Sequence, residues 1–247
     1  MRSAETTSVN RENMPLLQLQ GVDKIYRQGE LTVPALQAID LTVQEGEFAA
    51  LVGPSGSGKT TLLNMIGGLD TPSHGTIRLN GTDITSLTES ALSDFRLFQL
   101  GFVFQAYNLV PVLSALENVE LVMVLQGLGV RERRERAEHY LTLVGLEKVL
   151  QRRPAALSGG QQQRVAVARA LAAGPRLVLA DEPTANLDSE NATALLDIMH
   201  RLSHEEKTTF IFSTHDRRVM ERAERLITLR DGRIISDQPV GHREQLA

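Results

Sequence analysis

Residues 53–61 contain the most specific chemistry in the chain, a glycine-rich segment that ends in lysine and threonine. The segment reads Gly53, Pro54, Ser55, Gly56, Ser57, Gly58, Lys59, Thr60 and Thr61, which matches the pattern G-x-x-x-x-G-K-[ST]. Such glycines let consecutive backbone N–H groups face phosphate oxygens. Lys59 can reach the β- and γ-phosphates, and the Thr60 hydroxyl can bind Mg²⁺. The segment therefore predicts a site for a nucleoside triphosphate.

The elements on either side of this loop support that prediction. An apolar run at residues 47–52 is typical of a buried parallel strand, and residues 61–66 begin a helical pattern. A helix that starts here directs the positive end of its dipole toward a bound anion. Strand, glycine-rich turn and helix is the arrangement that a phosphate loop requires.

Further chemical features follow the loop in a definite order. Gln105 ends an apolar strand, and Asp181 with Glu182 follows another at residues 177–180. His215 ends a third strand, at residues 208–213. Between the first two features lies Leu-Ser-Gly-Gly-Gln at residues 157–161, which opens a helix of small residues. Each feature alone is common on loops or at helix caps, but chance does not explain all of them in this order.

The composition limits the classes of protein to which the chain can belong. The chain has 247 residues, a net charge of −4 and no cysteine, so it offers no disulfides and no electrostatic reason to bind nucleic acid. The RERRER run at residues 131–136 predicts an ion-paired, solvated helix face. The first residues lack the apolar stretch of a signal peptide, and no run reaches the roughly 18 apolar residues that a membrane span needs. If the protein works at a membrane, another chain supplies the spans.

The pattern of elements predicts an α/β fold. Alternating apolar residues at 16–43 indicate an antiparallel sheet, and strands that alternate with helices indicate a parallel core. Residues 226–235 predict a hairpin around Asp231-Gly232. We expect a disordered leader at residues 1–13, one domain at 14–240 and a tail at 238–247. Within the domain, the core occupies about 14–91 and 166–237, and a helical insert without strand signals occupies about 92–165, including a helical pattern at 130–150.

Together these motifs resemble the nucleotide-binding subunit of ATP-binding cassette (ABC) transporters, over residues 16–237. The Leu-Ser-Gly-Gly-Gln signature is highly specific to that superfamily. Residues 29–36, 67–70 and 181–188 look like its LolD/MacB branch, although Ala185 stands where glycine is more frequent. The resemblance implies a P-loop NTPase (RecA-like) core with an antiparallel β subdomain and a helical insert.

The resemblance also implies roles for individual residues. Tyr26 would stack on adenine, Glu182 would act as general base, and His215 and Gln105 would orient the attacking water. Thr60, Gln105 and Asp181 would hold Mg²⁺. The signature would cover the γ-phosphate bound by an opposite subunit, so two ATP molecules would lie between the protomers of a homodimer. The interface positions implied are Ser158, Gly159, Gly160, Gln161 and Asp188.

The implied function is an ATP-binding and ATP-hydrolysing subunit that energises export or extraction through an integral-membrane permease of the MacB/LolCE kind. Such a subunit lies at the cytoplasmic face of the inner or plasma membrane. The alternative is an FtsE-type switch, in which ATP drives signalling through a membrane partner without transport. The spacer at residues 29–36 favours the transport branch. A soluble ABC protein acting on ribosomes or DNA is disfavoured, because those usually carry two cassettes or large insertions. In the resembling family the spanning partner selects the substrate.

Overall fold

The computed structural model describes residues 14–29 and 31–240. The predicted leader and residues 241–247 of the predicted tail lie outside the described residues. The strands are β1 (Leu17–Gln28), β2 (Leu31–Val43), β3 (Phe48–Val52), β4 (His74–Leu79), β5 (Thr82–Asp83), β6 (Leu100–Val103), β7 (Leu177–Asp181), β8 (Thr209–Thr214), β9 (Arg225–Arg230) and β10 (Arg233–Pro239). The helices are α1 (Lys59–Ile66), α2 (Glu89–Gln99), α3 (Ala115–Leu125), α4 (Val130–Leu143), α5 (Gly159–Ala172), α6 (Ser189–Glu205) and α7 (Arg217–Met220).

The strands form two sheets. The larger sheet has the order β10-β9-β3-β8-β7-β6, in which β9, β3, β8, β7 and β6 run parallel and β10 is antiparallel to β9. The smaller sheet is antiparallel and has the order β2-β1-β4-β5. The predicted antiparallel sheet and the terminal hairpin are confirmed, the latter with Asp231 and Gly232 both at positive φ as a two-residue turn requires.

The parallel sheet lies between two apolar layers. Ala49 and Leu51 of β3 face a core that contains α1 and the small sheet. The alternate residues Phe48 and Ala50 face a second core, which contains α5 and α6. All five residues of β3 are buried, as expected for a strand that is covered on both faces. The predicted fold class, α/β with an antiparallel β subdomain and a helical region, is confirmed.

The middle of the chain differs in two respects from the sequence prediction. Strand β6 lies inside the segment 92–165 and pairs with β7, so this segment does contribute a strand to the parallel sheet. This is the apolar strand that Gln105 was predicted to follow, so the strand itself was expected, whereas its place within the segment assigned to the helical insert was not. Helix α4 ends at Leu143 rather than near residue 150, because Gly145 adopts a left-handed φ of 74° that stops the helix. The RERRER prediction is confirmed: Arg131 pairs with Glu135, and Arg134 pairs with Glu138, on an exposed face.

Among the described residues, no helix is both long enough and apolar enough to span a membrane.

Candidate active site

The candidate site lies at one edge of the parallel sheet. The phosphate loop follows β3, Gln105 follows β6, Asp181 ends β7, and His215 follows β8. Because these strands are parallel, their carboxyl ends lie at the same edge. Crevices at this edge are the usual ligand sites of open α/β sheets.

The phosphate loop depends on glycine at two tight positions. A Cβ on Gly53 would stand 2.1 Å from the Leu229 carbonyl oxygen, and one on Gly58 would stand 2.8 Å from that of Ala35. Both glycines also have positive φ, 149° and 104°. The loop is therefore pressed between β2 and β9, and any side chain at these positions would displace it.

Lys59 is the first residue of α1 and is only 7% exposed. Its Nζ donates to the carbonyl oxygens of Gly53 and Pro54, at 2.9 and 3.0 Å. These contacts bend the lysine back over the loop that precedes it. The buried Ser57 hydroxyl has no hydrogen-bond partner among the described residues, which leaves a polar atom free inside the loop.

Thr60 and Asp181 meet in front of the loop. The Thr60 hydroxyl donates to the Asp181 carboxylate, at 2.9 Å from Oδ2, and the Ser213 hydroxyl donates to Oδ1 at 2.5 Å. Hydroxyl and carboxylate oxygens are ligands that suit Mg²⁺. The predicted pair Thr60 and Asp181 is thus brought together, and its donor chemistry fits that ion.

Glu182 and His215 form a second pair next to the first. His215 Nδ1 lies 2.9 Å from Glu182 Oε1. Glu182 has a left-handed φ of 46°, which is rare for a residue with a side chain, and its backbone N–H donates to Ser213 Oγ at 2.9 Å. Strained backbone of this kind recurs at functional sites. The turn separates the Glu182 carboxylate, which faces His215, from that of Asp181, which faces Thr60.

Tyr26 is held beside the start of α1. Its hydroxyl donates to Asp70 Oδ2 at 2.8 Å, and Lys24 Nζ lies 4.8 Å from the ring centroid while bonding Asp70 Oδ1. Partial burial is the main reason that the pKa of Tyr26 is raised, and the hydrogen bond to Asp70 is the second. Burial acts against ionisation of Asp70, but its bonds with Lys24, Tyr26 and Thr71 lower its pKa overall. Tyr26 is 40% exposed.

Gln105 lies in an exposed turn after β6, on the loop 104–108, which we call the Gln105 loop. The structure brings it next to the Asp181–Asp188 segment through its backbone, since Asn186 Nδ2 donates to the Gln105 carbonyl oxygen at 2.9 Å. No hydrogen bond joins the Gln105 side chain to Thr60 or Asp181 among the described residues.

The signature residues begin α5. Ser158 caps the helix, and its side chain and that of Gln161 bond each other's backbone N–H in a capping box. A Cβ on Gly159 would stand 2.8 Å from the Tyr107 hydroxyl, and Gly160 faces Asn191. Ser158 itself is exposed and has no hydrogen bond to the phosphate loop within the described part of the chain. The structure therefore does not bring the signature together with Lys59.

Asp188 caps α6 in the same region. It accepts from the backbone and side-chain nitrogens of Asn191 at 2.9 and 2.7 Å, and these bonds, the backbone one first, lower its pKa. Asp188 and the start of α5 are thus joined through Asn191, which also faces Gly160.

Comparison with known proteins agrees with this geometry. The profile of the family described as ABC transporter matches residues 36–185. The lipoprotein-releasing system ATP-binding protein LolD of Anaeromyxobacter dehalogenans is 49% identical over 226 residues, which cover 91% of this chain and 95% of that protein. The chain belongs to the ABC transporter family. It is an ATPase of the LolD/MacB type, as the motifs predicted, and the family's domain binds ATP.

Two further relatives support the same family assignment. The macrolide export ATP-binding/permease protein MacB of Marinobacter nauticus is 47% identical over 223 residues, and the cassette spans 34% of its length. A solved dimeric structure of the ATP-binding cassette MJ0796, in a post-hydrolysis state bound to ADP and Pi, is 41% identical with a TM-score of 0.84. The match covers 90% of this chain and 98% of that one.

Several residues that support the cassette's site were not predicted. Ser213 bonds both the Asp181 carboxylate and the Glu182 backbone, and a serine at the end of the buried strand β8 was the available signal. Asp70 fixes Tyr26, and Arg169 and Gln163 of α5 bond backbone carbonyls of the Gln105 loop. These contacts join residues far apart in sequence, so spacing did not reveal them.

Proposed function

We propose that this cassette is the subunit that hydrolyses ATP to drive export or extraction by an integral-membrane partner, and that it works as a homodimer with ATP. The observation that carries the proposal is the placement of two pairs at one sheet edge. Thr60 with Asp181, and Glu182 with His215, stand directly in front of the loop that holds Lys59. Phosphate binding and activation of water would thus occur side by side.

The roles follow from the contacts. Backbone N–H groups of residues 53–61 and Lys59 Nζ would bind the β- and γ-phosphates. Thr60 and Asp181 would hold Mg²⁺ with Gln105, and the ion would neutralise charge on the phosphates. Glu182 would take a proton from the attacking water, and His215 would fix the orientation of that carboxylate. Tyr26 would stack on the adenine ring.

The homodimer explains the signature. Ser158 opens a helix N-terminus that suits a phosphate, yet its hydrogen bonds stay within residues 158–162. Asp188 is exposed beside it. In a head-to-tail dimer, Ser158, Gly159, Gly160 and Gln161 of each protomer would cover the ATP of the other. The dimeric form of the solved relative MJ0796 supports this arrangement.

The membrane partner would dock on a cleft between α2 and α3. This cleft, of about 570 Å³, is lined mainly by apolar side chains, among them Leu97, Phe104, Leu121 and Leu125. Apolar clefts of this volume are the usual binding sites of proteins. Phe104 is the first residue of the Gln105 loop, so the cleft adjoins that loop. The names of the LolD and MacB relatives support a permease partner, and the cassette would then lie at the cytoplasmic face of the inner or plasma membrane.

Substitution of Glu182 tests the hydrolytic role. A positioned general base contributes roughly 10²–10⁴-fold in rate, so Glu182→Gln should lower ATP turnover by about that factor and leave ATP binding intact. The matched control is Glu147→Gln, which changes an exposed carboxylate on the loop after α4. Turnover of Glu182→Gln equal to that of the control would remove Glu182 from the role.

The dimer is tested in the same background. Because Glu182→Gln should retain ATP, gel filtration with ATP and Mg²⁺ is expected to show twice the monomer mass. Adding Ser158→Arg should restore the monomer while nucleotide binding persists. Hydrolysis by a monomeric Ser158→Arg protein would refute the shared site.

A further inference from the structure

A second group of metal-binding side chains lies outside the nucleotide site. His200 and His204 stand one turn apart on α6, and Glu224 stands in the turn just before β9. Their ligand atoms all lie within 4.8 Å of one another. Nothing in the proposed hydrolytic cycle uses these residues.

The distances within this cluster match a metal site. His204 Nε2 lies 3.3 Å from His200 Nε2, and Glu224 Oε1 lies 3.2 Å from His200 Nε2 and 2.9 Å from His204 Nε2. Tetrahedral coordination with bonds of 2.0–2.1 Å places neighbouring ligand atoms about 3.3 Å apart. An ion could therefore enter if the Glu224–His204 pair opened by roughly 0.4 Å.

Two of the three ligands are already held in place. The His200 ring packs edge-on against the buried ring of Phe48, with centroids 5.2 Å apart. The Glu224 backbone N–H donates to the Phe48 carbonyl oxygen at 3.0 Å, and its carbonyl oxygen accepts from Val240 N at 2.7 Å. His204 has a side chain 53% exposed, so an ion can reach the cluster from solvent.

We propose that His200, His204 and Glu224 bind a divalent transition-metal ion of the zinc class. Imidazole nitrogens with a carboxylate suit zinc and its neighbours, whereas Mg²⁺ prefers oxygen alone. Three protein ligands leave a fourth position for water. The cluster adjoins Phe48, the first residue of β3, whereas the phosphate loop follows the last residue of that strand. The two sites thus lie at opposite edges of the sheet.

Binding would join the last turn of α6 to the segment between α7 and β9. That helix begins at its cap, Asp188, and the segment follows His215. A bridging ion should restrict opening of the short α7. Hydrogen exchange of amides in residues 217–224 is therefore expected to slow when Zn²⁺ is added.

The first test is a Zn²⁺ titration of the full chain, without an affinity tag or nucleotide, in competition with a chromophoric chelator. We expect one equivalent of Zn²⁺ per chain. Loss of a partner that merely supports a ligand typically costs about 10–100-fold in metal affinity. His204→Ala and Glu224→Gln, which remove or weaken a direct ligand, should therefore each lower affinity at least about tenfold.

Two control variants locate the site. His139→Ala removes an exposed histidine on α4, and His215→Ala removes the histidine of the nucleotide site; both should bind Zn²⁺ as the unmodified chain does. Visible absorption of the Co²⁺ form gives a second measurement on the unmodified chain, with the bands of a tetrahedral site expected. Unchanged affinity in His204→Ala, loss of binding in His215→Ala, or absence of those bands would overturn the proposal.

Discussion

Arg169 on α5 should contribute more to the free energy of unfolding than any exposed arginine of the cassette. Its guanidinium donates to the carbonyl oxygens of Asn108 at 2.6 Å and Tyr107 at 2.9 Å. Tyr107 and Asn108 both have left-handed φ, 54° and 50°, so the arginine holds a strained stretch of backbone. It forms no ion pair with a carboxylate among the described residues, and burial lowers the pKa of its guanidinium.

The magnitude follows from these two bonds. A hydrogen bond from a charged donor contributes about 1.5–3 kcal/mol, and the burial of the unpaired charge offsets part of the sum of two. We therefore expect Arg169→Ala to lower the free energy of unfolding by about 2–3 kcal/mol. Arg169→Lys should lower the free energy of unfolding by roughly half as much. The lysine ammonium lacks the planar, two-pronged guanidinium that donates to both carbonyl oxygens at once.

Urea denaturation followed by far-UV circular dichroism measures this change, since the chain has no tryptophan. The control is Arg134→Ala, which removes an exposed ion pair with Glu138 and should cost no more than about 0.5 kcal/mol. Hydrogen exchange should also speed up in residues 104–108 of Arg169→Ala alone. If Arg169→Ala unfolds at the same urea concentration as Arg134→Ala, the hydrogen bonds do not stabilise the loop as argued.

Two other changes have clear expected outcomes. Lys59→Ala should weaken ATP binding about 10- to 100-fold, because it removes one hydrogen bond from a charged donor to the phosphates. The melting temperature should change little. Titration with a fluorescent ATP analogue measures the affinity. The Ser114 backbone N–H, and then its hydroxyl, lower the pKa of Glu117 in the capping box of α3. A lowered carboxyl pKa stabilises the fold at neutral pH, and that stability is lost as pH falls through the lowered value. The melting temperature of Glu117→Gln should thus fall less steeply than that of the unmodified chain below about pH 4.5, and parallel curves would contradict this.

The local parts of the fold were predictable because their signals are local. The phosphate loop needs glycines at fixed positions, and the Asp231-Gly232 turn needs two residues that tolerate positive φ. Helix α3 also carries a local signal, the capping box of Ser114 and Glu117. The position of strand β6 next to β7 was difficult for the opposite reason, since that order is set by pairing across the sheet.

The candidate site was predictable as a set of residues but not as contacts. Spacing indicates that Asp181 and Glu182 end a strand, yet it does not show that Ser213 of the neighbouring strand joins them. Spacing likewise does not show that Glu224 contacts His204. Glu224 lies 20 residues beyond His204 and meets it because the chain folds back at the start of β9.

The bonds from α5 to the Gln105 loop have a consequence for how the assembly would be controlled. One end of α5 would face the nucleotide of the opposite protomer. Arg169 and Gln163 of the same helix donate to the Gln105 loop, which would face the nucleotide of its own protomer. A membrane protein bound in the adjoining cleft would then respond to the occupancy of both nucleotide sites. Its response with two sites occupied would differ from its response with one.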